Sequence, residues 1–242
     1  MLLDEGRDIL YTEGLETLSS NLTFKRVFDR LEQRTGERVT NASVIKRVWE
    51  NQADFQTDVL VAIAHDESRP ETANGVEAIA EAVGKLDFST PESRAVALRE
   101  ICRIGGSAHS ADLAESTNFP LWISVIAMAT TTSDPGQEKR MQRALASGYE
   151  AVHGFWSETL SALFPLFGLR LREPYTMGQF VRAVTAYSEG CSLNQRTQGG
   201  VEWVVRPTGP DGADQEWSLF AVGFEGLVHQ FLEPVPDAGP AT

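Results

Sequence analysis

The sequence predicts an all-α fold in two parts: an N-terminal three-helix unit with its connecting helix over residues 1–66, and a larger helical domain over residues 67–234. Three observations predict it. Apolar residues recur at three- and four-residue spacing along most of the chain, the repeat of one face of an α-helix. Residues that cap helices stand before these stretches, and Gly or Pro stands behind them. A Pro-containing loop, Glu67 to Asn74, separates the two parts.

The first helix is expected from about Leu2 to Tyr11, with Leu3, Ile9 and Leu10 inward, ending near Gly14. Thr23 caps the second, and Leu22 and Val27 are spaced for a hydrophobic staple. Phe24, Val27, Phe28 and Leu31 form its inner stripe, which Arg34-Thr-Gly-Glu-Arg38 breaks. A short third helix follows from Thr40 or Asn41, with Val44 and Val48 inward and Trp49 closing it. Asn51 caps a fourth, carrying Phe55, Val59 and Ile63.

Beyond the loop, helices are expected at about 75–86 and 91–106, the latter opened by Thr90-Pro91. Residues 112–131 are apolar but interrupted by Pro120. Asp134-Pro135 opens the longest helix, in phase from Met141 to Leu163. Thr176 caps another, with Met177, Val181, Val184, Tyr187 and Cys191 on one face and Gly199-Gly200 at its end. Val201 to Arg206 reads as extended and Pro207 to Ala213 as turns. A final helix is expected at about 215–232, where Gly223 and Gly226 permit a close neighbour. Residues 235–242 read as a frayed tail.

Composition bounds the function. Hydrophobic residues make up 42% of the 242 positions and charged ones 23%, enough apolar material for packed cores. No stretch approaches the ~20 apolar residues of a membrane span, and Asp4 and Glu5 stand where an export leader would be basic. Cys102 and Cys191 lie far apart without ligand spacing, so two reduced thiols and a cytoplasmic location are expected. The histidines, His65, His109, His153 and His229, are scattered. No nucleophile elbow, P-loop or HExxH pattern occurs, so no enzyme, metal or cofactor is expected.

The net charge of −13 opposes nucleic-acid binding, yet it is unevenly spread. Within 20–50, seven basic residues (Lys25, Arg26, Arg30, Arg34, Arg38, Lys46 and Arg47) face four acidic ones. The helices at 23–33 and 41–48, joined by a Gly-containing turn, have the layout of a helix-turn-helix. Its second helix needs an apolar side and a polar side that enters the major groove. Asn41, Ser43, Lys46 and Arg47 are the candidates for base edges, with Thr23, Lys25, Arg26 and Thr40 for phosphates.

The run Leu3…Ile9-Leu10…Gly14…Leu18…Thr23…Val27…Leu31…Gly36…Val39-Thr-Asn-Ala-Ser-Val-Ile-Lys-Arg-Val-Trp49…Asn51…Phe55 resembles the DNA-binding domain of TetR-family transcription regulators. The resemblance covers residues 2–66. It departs from the family pattern where Glu37-Arg38 separate Gly from Val, where Ile45 or Lys46 replaces a Tyr, and where Asn51 or Gln52 replaces a Lys. It implies a one-component regulator, a repressor that binds operator DNA as a homodimer and answers to a small-molecule effector. The layout places the effector among helices 75–165, with Cys102, Phe119, Trp122, Met128, Tyr149, His153 and Trp156 as candidate lining and His109 and His153 as candidate polar contacts. It places the partner subunit on the last two helices, at Val181, Val184, Tyr187, Phe220, Phe224, Leu227 and Phe231. The missing phosphate anchors and the acidic balance keep a second reading open, a dimeric ligand- or protein-binding module without specific DNA binding.

Overall fold

The computed structural model describes residues 1–14, 22–36, 48–65, 73–208 and 211–235. Among them are nine α-helices and two small antiparallel strand pairs. The chain is therefore predominantly helical, and no helix among the described residues is long and apolar enough to cross a membrane. Residues 41–47 of the third helix expected at 41–48, the loop before Ala73 and the tail from 236 lie outside the described residues.

Two compact units emerge, and neither is contiguous in sequence: one comprises 1–68 and 117–151, the other 69–116 and 152–242. The expected boundary at 66 lies beside one junction, but residues 117–151 join the N-terminal unit. The reason is a shared core. Leu121, Trp122, Val125, Met141 and Leu145 are buried in one cluster with Ile9, Leu22, Val27, Trp49, Phe55 and Val59.

In the first unit, α1 (Leu2–Glu13) ends where Gly14 takes φ +76°. The hydroxyl of Thr23 accepts from the Arg26 amide and caps α2 (Phe24–Thr35), which closes on left-handed Gly36. Leu22 and Val27, at the staple positions, are both fully buried. Asn51 caps α3 (Gln52–Ala64) through the Asp54 amide. Two later helices complete the unit: α6 (Asn118–Thr131), with Pro120 in its first turn, and the first part of α7 (Pro135–Leu163). Val48, expected inward, is 58% exposed, because Trp49 at 5% occupies the interior position.

In the second unit, α4 (Ala73–Val83) precedes α5 (Pro91–Glu115), which opens with a reciprocal capping box between Thr90 and Ser93. Helix α5 runs well past the expected end at 106, straight through Gly105-Gly106. Those glycines are places of close approach: a Cβ at 105 would lie 2.6 Å from Ile79, and one at 106 would lie 2.8 Å from Ala221. A short 3-10 turn, Phe164–Phe167, leads from α7 to β1 (Leu169–Leu171). Thr176 and Gln179 form the capping box of α8 (Met177–Gln198), which Gly199 ends at φ +91°.

The hairpin β2 (Trp203–Thr208) and β3 (Ala213–Ser218) follows, then α9 (Leu219–Phe231) and β4 (Leu232–Pro234), the last paired with β1. The helix expected from 215 therefore begins at 219. Residues 213–218 are a strand because Trp217 is fully buried opposite Val204 and its indole donates to the Thr208 hydroxyl at 2.7 Å. Of the two glycines expected to permit close approach in α9, Gly223 does so, since a Cβ there would run into the Tyr187 hydroxyl. Gly226 has no atom within 4 Å of that position.

Gly106→Val should destabilise the chain by about 1–3 kcal/mol through overpacking. Gly154→Ala, where a Cβ meets nothing within 4 Å, should instead stabilise it by up to about 1 kcal/mol through helix propensity. Urea unfolding of both variants beside the parent checks the contrast.

Candidate functional site

The described part of the N-terminal unit frames residues 37–47 from both sides. On one side stands the α2 end at Gly36; on the other, Trp49. The Trp49 ring meets Phe55 edge-on at 4.9 Å and lies 5.9 Å from Phe24. Its indole N–H donates to Asp58 at 2.7 Å. The Arg140 guanidinium donates to Asp58 and Asp54 together, and the Glu50 amide donates to Asp54 at 3.3 Å. Trp49 is thus held by ring packing and by one arginine that fixes its acceptor.

The expected DNA contacts divide. Thr40, Asn41, Ser43, Lys46 and Arg47 lie outside the described residues. Thr23 is half-buried and engaged in capping α2, and Lys25 is exposed. Arg26 is paired with Glu13 of α1. Arg34 donates to Glu5, whose other oxygen lies 4.0 Å from Arg30; Glu5 itself is 3% exposed. Much of the basic charge of α2 is therefore answered by α1. Local pattern does not reveal this, because Glu5 and Glu13 pair with residues 13 to 29 positions away.

The seven residues expected to line one effector site are divided between the two units. Trp122, Met128 and Tyr149 belong to the first unit, where the rings of Trp122 and Tyr149 meet at 4.9 Å. Phe119 is buried in that unit as well. Cys102 and Trp156 belong to the core of the second unit, and His153 lies in that unit also. Burial, first, raises the Cys102 thiol far above its ordinary range, which leaves it an inert apolar group. For His153, burial and then Arg182 hold the imidazole below its usual value, while Glu189 pulls the other way.

The residues expected at a subunit contact are largely used inside the chain. Val181 and Phe220 are buried at 1% and 4% exposure. Val184, Phe224, Leu227 and Phe231 pack half-buried against the same core, and Tyr187 donates to the Leu219 carbonyl at 3.0 Å.

A polar seam crosses this second core between α5 and α8. His109 Nε2 meets the Ser188 hydroxyl at 2.8 Å, and the Gln195 amide donates to Ser110 at 2.6 Å. Ser192 donates to the Ser188 carbonyl. The spacing 188, 192, 195 sets these polar groups on one face of α8. Trp156 stands edge-on to the His109 ring at 6.1 Å and Phe220 lies at 5.2 Å. Two enclosed polar atoms of the seam, His109 Nδ1 and Gln195 Oε1, have no hydrogen-bond partner among the described residues. Ordinarily such groups are satisfied.

No family model, curated protein or solved structure matches this chain. Its function is therefore read from its own residues and their geometry. Near the seam, His109, His153 and Trp156 stand out in the sequence by residue type. Ser110, Ser188 and Gln195 do not, since their only signal is helical spacing.

Although His109 keeps some surface as a residue, Nδ1 has no solvent contact, and burial pushes the imidazole down to about 4 from its ordinary 6.5. The unfolded chain takes up this proton near pH 6.5, whereas the folded chain resists until about 4. The stability so contributed is present above 6.5 and is lost as the pH falls towards 4. His109→Gln should flatten that part of a Tm-against-pH curve. In the other unit, Trp49→Ala should cost about 3–5 kcal/mol and Trp49→Phe about 1 kcal/mol, the share of the indole hydrogen bond, as read by urea unfolding.

Proposed function

We propose that the chain is a one-component transcription regulator. In this reading residues 23–49 are a helix-turn-helix that meets operator DNA, and the second unit senses a small-molecule effector. The single observation that carries this is the frame around residues 37–47. A capped helix ends at a left-handed glycine, a clamped tryptophan stands at position 49, and by sequence pattern the residues expected outward between them include Lys46 and Arg47. A recognition segment has to be held at both ends by a rigid scaffold, because side chains must reach base edges within a fraction of an ångström. Two copies would present two such segments to successive major grooves, and an effector would act by its differential affinity for two arrangements of the dimer.

A second reading is favoured by the pairs Arg26–Glu13 and Arg34–Glu5. Cations already answered by carboxylates give little to phosphate, so the same scaffold serves a ligand-binding module that does not read DNA.

A gel shift against the DNA flanking the gene, at two salt concentrations, separates them. A regulator loses affinity steeply with salt as counterions are released; the module shows no sequence-specific shift at either concentration. Arg47→Ala should abolish specific binding and leave Tm unchanged. Undiminished operator binding by that variant overturns the assignment of the outward face.

A further inference from the structure

We infer that the seam between α5 and α8 binds a small uncharged molecule carrying both a hydrogen-bond acceptor and a donor on a flat apolar body. The inference rests on the effector-sensing half of the proposed function and names the chemistry of its ligand.

Proton placement decides what the seam can offer. The Ser188 hydroxyl has His109 Nε2 as its hydrogen-bond partner. If Nε2 carried the proton, it would donate to Ser188, stranding the serine hydroxyl proton as well as the bare Nδ1 lone pair. If Ser188 donates to Nε2, one group is left instead, an enclosed Nδ1–H. The second assignment leaves fewer buried groups unmade and is the favoured one. His109 then offers a donor. Gln195, only 7% exposed, gives its N–H to Ser110 and leaves Oε1, an acceptor. Of the seam's enclosed atoms that have no partner at all, one is thus a donor and the other an acceptor.

Charge narrows the class further. The polar groups of the seam are hydroxyls, an amide and a neutral imidazole, so an ion entering it would lose its water without a counter-charge. Shape narrows it again, since Trp156 and Phe220 flank the ring that carries the unmet donor. His109 and Trp156 are both half-buried, so the ring that carries the enclosed Nδ1 and the indole beside it still reach solvent. A neutral aromatic amide or alcohol meets all three requirements, as an anion or a hydrocarbon does not.

Benzamide and benzyl alcohol are the probes, with benzoate and toluene as controls, titrated into the full chain without DNA and read by calorimetry and ligand-observed NMR. Saturable binding of benzamide or benzyl alcohol, with benzoate excluded and toluene weaker, is expected. His109→Phe and Gln195→Leu should each weaken benzamide about tenfold or more while leaving toluene unaffected. Thermal unfolding shows whether the variants are folded; if either is not, a crystal structure of the parent soaked in benzamide decides, by density at Nδ1 and Oε1. Absence of saturable binding, benzamide binding unchanged in folded variants, or ordered water alone at both atoms overturns the inference. A parent that shifts operator DNA but binds neither probe refutes this inference only; one that binds benzamide and shifts no DNA refutes the operator reading only.

Discussion

The second unit depends on two missing side chains. Helix α5 carries α4 against Gly105 and α9 against Gly106; a methyl group at 106 would meet the Ala221 backbone, and one at 105 would displace the Ile79 side chain. In an isolated helix two adjacent glycines would cost about 2 kcal/mol relative to alanine. Here that cost is offset by dispersion contacts that only close packing allows, since attraction between carbon atoms fades within an ångström of the optimum. One turn further on, the same helix places His109 and Ser110 against α8. The same helix thus meets α4 and α9 at its glycines and α8 at its polar residues.

The two units handle buried polarity differently. In the first, charge is met by charge: Arg140 grips Asp54 and Asp58, and Glu5 draws in Arg34. In the second, a similar ionic group exists around Glu225, which is 6% exposed, accepts from Arg99 at 3.2 Å and forms an ion pair with Arg206 at 2.8 Å. Arg206 also stacks over Trp217 at 4.5 Å. The seam between α5 and α8 contains neutral groups, and His109 Nδ1 and Gln195 Oε1 there are left without partners.

Local chemistry was the legible part of the sequence. Thr23, Asn51, Thr90 and Thr176 announce helix starts, and Gly14, Gly36 and Gly199 announce ends, because capping involves residues within a few positions of one another. What failed depended on distant partners. Trp217 stands three positions before Phe220, in phase with Phe224 and Phe231, so periodicity alone reads it as helix; its pairing with Val204 across the hairpin makes it strand. Residues 117–151 follow the second unit's first helices in sequence and belong to the first unit's core, which no local pattern signals. Of the candidate site, the aromatic and histidine members stood out by residue type. Serine and glutamine at 110, 188 and 195 did not, since such residues are usually solvated and acquire meaning only when buried.

The tryptophans have an optical consequence. Trp49 and Trp217 are buried with their indole N–H groups bonded to Asp58 and Thr208, one in each unit, whereas Trp203 is 49% exposed on the hairpin. Trp122 is buried in the first unit and Trp156 half-buried in the second, so selective excitation reads five indoles of which Trp203 is the one exposed. Acrylamide reaches Trp203 first, so quenching its emission leaves a spectrum weighted towards the two interiors, and loss of either unit alone appears as a partial red shift.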